Sequence, residues 1–195
     1  LPDFCDSFSS KIDFSKISLI GISSVTDSFR HCCTIVRNIK EHFPWIPVVL
    51  GGVHATIVGG DIILDKIQGL FDYVLEGEGE FSLPKLADCI LSADKSRLST
   101  IEGLCYYDDN NTVRKIPRRL ITNLNEIYFP KRSAIRQPEA TAYSEYGKDV
   151  TMITSRGCSH NCSFCSVSAF FNHSWRFRTI ENVLLEIENI VELYG

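Results

Sequence analysis

The chain has 195 residues, 44% hydrophobic and 23% charged, an ordinary globular composition that excludes wholesale disorder and collagen-like repetition. Lys plus Arg number 20 and Asp plus Glu 24, a net charge of −4 that argues against non-specific nucleic-acid or anionic-membrane binding. The longest apolar runs, such as Ile46 to Val53, are too short for a transmembrane segment, and Leu1-Pro2-Asp3 opens no secretory signal, so a cytoplasmic location is the expectation.

Residues 17–24 (Ile-Ser-Leu-Ile-Gly-Ile-Ser-Ser) form a short apolar run that predicts a buried parallel strand. Asp27 is placed to cap a helix running to about His42, with Ile35, Val36 and Ile39 on one face. Residues 46–51 predict the second strand, and residues 61–67 a weaker helix. Residues 72–75 predict the third strand, and a helix follows from about Phe81 to Leu91. Strand–helix alternation with short connections predicts an α/β fold with a parallel sheet covered by helices.

Ligands of such sheets bind beyond the carboxyl ends of the strands. The loops there hold Ser23-Ser24, Gly51-Gly52-Val53-His54 and Glu76-Gly77-Glu78-Gly79-Glu80. Tight turns alone are the competing reading of these glycines. Residues 103–107 and 112–116 predict a β-hairpin around Asp108 to Asn111. Residues 117–149, with Pro117, Pro130 and Pro138, read as a linker between a first unit, 1–116, and a second, 150–195. Residues 150–154 predict another strand, followed by a cysteine-bearing loop. Thr179 is placed to cap a last helix with Val183, Leu184, Ile187, Ile190 and Val191 on one face and Glu181, Glu186 and Glu188 on its other sides.

Eight cysteines are many for such a chain. Cys5, Cys32, Cys33, Cys89 and Cys105 read as reduced structural or surface thiols, because a chain this long folds without bridges. Cys158, Cys162 and Cys165 stand apart at Cys-x3-Cys-x2-Cys. Three thiolates are soft ligands, and in a [4Fe-4S] cluster they leave one iron open for a substrate or cofactor. Zinc with His160 or His173 as fourth ligand, and a disulfide plus one free thiol, are the alternatives.

This loop resembles the signature of the radical S-adenosylmethionine enzymes, Cys-x3-Cys-x-aromatic-Cys, with Phe164 as the aromatic. The resemblance implies that Cys158, Cys162 and Cys165 hold a [4Fe-4S] cluster and that Phe164 sits near the adenine of S-adenosylmethionine. It implies reductive cleavage of that cofactor to a radical that takes hydrogen from a substrate. Gly157 would let the loop wrap tightly, and Arg156 would set positive charge near the cluster. Upstream, Val-Val-Leu-Gly-Gly-Val-His-Ala at 48–55 and Asp-Tyr-Val-Leu-Glu-Gly-Glu-Gly-Glu at 72–80 look like the cobalamin-binding domain of the B12-dependent subfamily. The hairpin from Gly103 and the Trp175-Arg176-Phe177-Arg178 segment also resemble that subfamily.

The fold so implied is a Rossmann-like, flavodoxin-type cobalamin domain, incomplete at its N-terminal side with three of five strands, then the first βα unit of a partial (β/α) barrel. Ser23, Ser24, Gly51, Gly52, Gly77, Glu78, Gly79 and Glu80 would line the cobalamin nucleotide tail, with His54 a loop residue. The function implied is radical methyl transfer or a related C–H functionalisation. A radical cyclisation or rearrangement, and a non-catalytic cobalamin- or metal-binding module, are the alternatives. A reduced flavodoxin or ferredoxin would donate the electron, and a small-molecule, lipid or tetrapyrrole-like compound would be the substrate. Both domains read as parts of a longer enzyme.

Overall fold

The computed structural model describes residues 12–132 and 150–194. Cys5, Pro138 and residues 133–149 of the expected linker lie outside the described residues. The chain divides into two compact units, residues 1–120 and 121–195.

The first unit runs β1 (Ile20–Ser23), α1 (Thr26–His42), β2 (Val48–Gly51), α2 (Val53–Val58), α3 (Gly60–Lys66), β3 (Tyr73–Leu75) and α4 (Ser82–Leu91), then β4 (Leu104–Tyr107) and β5 (Val113–Lys115). Its sheet has the order β1-β2-β3-β4-β5, the first three parallel and the last two antiparallel. The two-residue side-chain period of a strand divides the core into two layers. Val48, Leu50, Val74 and Cys105 face Cys33, Val36, Ala55, Ile63 and Leu64 of α1 to α3. Val49, Leu75 and Leu104 face Leu86 and Cys89 of α4, with Leu98 and Ile101 beside them. Side chains buried this fully contribute roughly 1.5–3 kcal/mol each.

The expected hairpin is present as β4 and β5, and β4 also pairs with β3 in the register Val74↔Cys105, which extends the sheet to five strands. Two expectations change here. Asp27 does not cap α1; Val25 holds that position without a side-chain bond, and Asp27 lies in the first turn. His54 sits in helix α2 rather than in a loop. Asp72 ties the layers, accepting from the Val48 amide at 2.7 Å and from Lys40 Nζ at 2.6 Å.

The second unit holds β6 (Ser155–Gly157), α5 (Ser166–Phe170), β7 (Trp175–Phe177) and α6 (Ile180–Tyr194). The strand expected at 150–154 is corrected to β6, which pairs antiparallel with β7, Arg156 opposite Arg176. Residues 150–153 have strand-like composition but lie outside the ladder, and Thr154 accepts one bond from the Arg178 amide at 2.9 Å. Thr179 does cap α6, its Oγ1 accepting from the Asn182 amide at 3.3 Å. On α6 Val183 and Ile190 are half-buried, whereas Leu184, Ile187 and Val191 are exposed.

The junction of the parallel and antiparallel parts depends on Gly103. Its φ is +78°, and a Cβ there would stand 2.3 Å from the Glu76 carbonyl oxygen. Gly69 has a similar φ of +74° but nothing within 4 Å of that position. Gly69→Ala should therefore cost about 1 kcal/mol of backbone strain and Gly103→Ala about 3 kcal/mol or more. Urea unfolding midpoints check this, and equal costs at the two sites would contradict the packing described.

Candidate functional site

The parallel strands deliver three loops to one edge of the first unit. The Ser24 amide donates to the Gly51 carbonyl at 3.2 Å, and the Ser24 carbonyl accepts from the His54 amide at 3.1 Å. Both backbone groups of Ser24 are thus engaged between loops, while its Oγ is buried with no hydrogen-bond partner. A buried hydroxyl left unpaired costs about 1–3 kcal/mol, which a ligand that supplies the missing bond would recover. Gly52 is packed against this turn so closely that a Cβ would meet Ser24 O at 2.8 Å and Ser24 N at 2.9 Å. Close loop packing accounts for Gly52, whereas the Ser24 hydroxyl keeps unused bonding capacity.

Thr56 on α2 links the second and third loops. Its Oγ1 donates to the Gly52 carbonyl at 3.0 Å and accepts from the Gly77 amide at 2.8 Å. Glu76, 6% exposed, starts the third loop. Its Oε1 accepts from the Gly60 amide at 2.6 Å and from Lys115 Nζ at 2.8 Å. Asp61, Glu76 and Cys105 come within 4.8 Å of one another, but Lys115, which also pairs with Asp61 at 2.7 Å, already supplies a cation there. Burial, then the Glu76 charge, pushes the Cys105 thiol up to about 12, so it stays protonated. Of the expected contact residues, Ser24 and Glu78 are buried, Gly51, Gly52, Gly77, Gly79 and Glu80 half-buried, and Ser23 exposed.

His54 does not present a free ring. It stacks on Phe29 at 4.0 Å, and its Nδ1 lies 3.2 Å from Thr26 Oγ1. Burial pulls its pKa below the usual imidazole value, which keeps it neutral. A cavity of about 510 Å³ lined by Phe71, Asp72, Tyr73 and Tyr107 lies at the start of β3, the opposite strand end from the loops.

In the second unit the cysteine loop leaves β6 at Gly157. There φ is +94°, and a Cβ would lie 2.0 Å from the Ser174 carbonyl oxygen. Only glycine permits this approach. Cys158 and Cys165 are half-buried, Cys162 and Phe164 exposed. All three thiols are free, as are the buried Cys32, Cys33, Cys89 and Cys105. The Cys165 amide donates to the Cys162 carbonyl at 3.1 Å, closing a turn, and Ser168 Oγ donates to the Cys165 carbonyl at 3.0 Å. Free, accessible thiols on a closed turn suit a thiophilic cluster, each on its own iron.

An ion-pair triad holds the stem of this loop. Glu186 was expected on a side of α6 away from its apolar face; it is 2% exposed. One carboxylate oxygen accepts from Arg132 Nη2 at 2.6 Å and the other from Arg178. Arg178 also donates to the Ile153 carbonyl at 2.9 Å, so it spans both ends of the cysteine segment. Arg132, Thr56 and Lys115 were missed in the sequence, and Arg178 entered only as part of the Trp175–Arg178 resemblance, without this role. A signal existed for Glu186 alone, since it stands three residues from Val183 and four from Ile190, on the apolar stripe.

Comparison with known proteins adds the following. The B12 binding domain family model matches residues 2–87. An uncharacterised methyltransferase of Pyrococcus horikoshii is 30% identical over 178 residues, covering 91% of this chain and 37% of that protein. An anaerobic magnesium-protoporphyrin IX monomethyl ester cyclase of Synechocystis is 28% identical over 182 residues, covering 92% and 35%. The chain thus spans little more than a third of these relatives. The solved cobalamin-dependent S-adenosylmethionine radical enzyme OxsB, with aqua-cobalamin and S-adenosylmethionine bound, shares the fold with a TM-score of 0.71. Its sequence identity is 19%, and the match covers 96% of this chain and 25% of that one.

Glu186 also carries a pH-dependent share of stability. Burial alone would raise its pKa, but the bonds from Arg132 and Arg178 outweigh it and hold the carboxyl below its usual 4.5. A depressed folded-state pKa means stability that is present above 4.5 and lost as pH falls through the folded value. Glu186→Gln should cost about 3 kcal/mol at neutral pH by stranding two arginines. That deficit should shrink on acidification below 4.5. Denaturant titrations at several pH values measure it, and a pH-independent deficit would show that Glu186 is not ionised in the fold.

Proposed function

We propose that the chain belongs to the cobalamin-dependent radical S-adenosylmethionine enzymes and is the cofactor-holding part of a radical methyltransferase, a reading that the B12 binding domain match and the methyltransferase relative support. The observation that carries the proposal is the pairing of two donor sets in one chain. The first unit offers the unpartnered Ser24 Oγ on a glycine-rich loop edge. The second offers three free thiols at Cys-x3-Cys-x2-Cys on a loop entered through Gly157.

On this reading Cys158, Cys162 and Cys165 hold a [4Fe-4S] cluster, and Phe164, 91% exposed, is available to S-adenosylmethionine. Ser23, Ser24, Gly51, Gly52, Gly77, Glu78, Gly79 and Glu80 hold cobalamin. The bound groups supply one-electron cleavage of a sulfonium and a methyl carrier. The protein's own part is to fix these groups: Gly157 and Arg178 set the stem of the cysteine loop, and Thr56 sets the spacing of the Gly52 and Gly77 loops. Arg156 adds positive charge beside the thiolates. The proposed domains are cobalamin-binding over 1–116, a linker over 117–149 and the start of the radical domain over 150–195.

A small-molecule substrate, of lipid or tetrapyrrole type, and a reduced flavodoxin or ferredoxin as electron donor complete the proposal. No helix among the described residues is long and apolar enough to cross a membrane, and a cytoplasmic site of action is proposed with it. Similarity to a protoporphyrin ester cyclase supports a second reading, radical ring closure without methyl transfer. Product mass separates the two, since methyl transfer adds one methyl group and ring closure adds none.

Anaerobic reconstitution with iron and sulfide should give a brown protein with broad cluster absorption. Cys158→Ala, Cys162→Ala and Cys165→Ala should each abolish that absorption, while Cys32→Ala keeps it. A colourless protein holding one zinc, or equal loss from Cys32→Ala, would remove the cluster assignment. Hydroxocobalamin should stay with the protein through gel filtration.

A further inference from the structure

Glu76 is a buried carboxylate that the proposed cofactor contacts do not use. Its surroundings come from three elements distant in sequence: the Gly60 amide at the start of α3, Lys115 Nζ at the end of β5, and the Cys105 thiol of β4 at 3.7 Å. Its own amide donates to the Gly103 carbonyl at 2.8 Å. Both backbone and side chain of the first residue of the third loop are therefore held, and the hairpin holds most of them. The next residue, Gly77, is fixed by Thr56. A carboxylate this buried is stable as an anion only when paired and hydrogen-bonded. Removing the Lys115 cation leaves a buried carboxylate without its charge partner and favours its movement toward water. Movement carries Glu76 to Glu80 with it, because Glu76 is the residue at which the loop leaves β3.

We propose that the Lys115–Glu76 ion pair is a positioning device that locks the Glu76–Glu80 loop for cobalamin, so that a residue of the hairpin, outside the cofactor-lining loops, sets cofactor affinity. This rests on the cobalamin reading above. Lys115 also meets Asp61, but Asp61 is half-exposed on α3 and outside the loop, so the bond to Glu76 is the one that matters for binding.

The test titrates hydroxocobalamin into the full-length protein and follows its absorption. Lys115→Met should weaken binding about tenfold or more, a loss equivalent to about 1.4 kcal/mol. Lys115→Arg should restore most of it, and Asp61→Asn and the exposed Lys85→Met should bind like the unaltered protein. Amide exchange without cofactor should speed up at Gly60 and Gly77 in Lys115→Met and stay unchanged at Leu50. If Lys115→Met fails to fold, Glu76→Gln takes its place, since it keeps an acceptor for Gly60 while removing the charge, and weaker binding is again expected. Unchanged affinity in folded Lys115→Met or Glu76→Gln, with the unaltered protein binding, would overturn the positioning role alone. Equal weakening by Asp61→Asn would overturn it too, by tracing the effect to general stability. No binding by the unaltered protein would overturn the cobalamin reading itself.

Discussion

Both units depend on a backbone approach that leaves no room for a side chain. At Gly103 the missing Cβ lets the hairpin come against the Glu76 carbonyl, and at Gly157 it lets β6 come against the Ser174 carbonyl. Each contact lies where a strand ends and a functional loop begins. In the first unit it joins an antiparallel hairpin to a parallel sheet and thereby closes the sheet beside the third loop. In the second it brackets the cysteine loop between β6 and the turn before β7. An exposed loop has few contacts of its own, so its shape has to be imposed at its ends.

The same division of labour recurs in the electrostatics. Each unit has a buried carboxylate at a loop stem, Glu76 met by Lys115 in one and Glu186 met by Arg132 and Arg178 in the other. Buried ion pairs add little net stability against an apolar replacement, because desolvation offsets most of the attraction. They do add direction, since a carboxylate with several donors has one geometry that satisfies them all. Glu186 and Glu76 therefore act chiefly as registers for the segments they touch.

Much of the candidate site was legible before any coordinates. Spacing set Cys158, Cys162 and Cys165 apart from the other cysteines, because three thiols within eight residues of one loop can be brought together whatever the rest of the chain does. The glycine and serine loops were legible because parallel strands place their carboxyl ends at one edge. Helix α2 was not, since six residues after Gly-Gly, Val53–Val58, carry no cap and little periodicity. The strand at 150–154 was misread because a β-branched run looks like a strand whether or not a partner lies alongside it, and the partner, Trp175–Phe177, pairs instead with Ser155–Gly157.

By itself the sequence determined the α/β alternation, the strand-end loops and the close spacing of three cysteines. All of these follow from local periodicity and short spacing, which a chain displays whatever it packs against. Tertiary structure alone decided that Ser24 Oγ is left unpartnered, that the partner of Glu186 is an arginine 54 residues away, and that Lys115 on the hairpin reaches Glu76. Those facts depend on which distant groups meet in a dry environment, where one missing or added partner changes the protonation, position and use of a charged side chain.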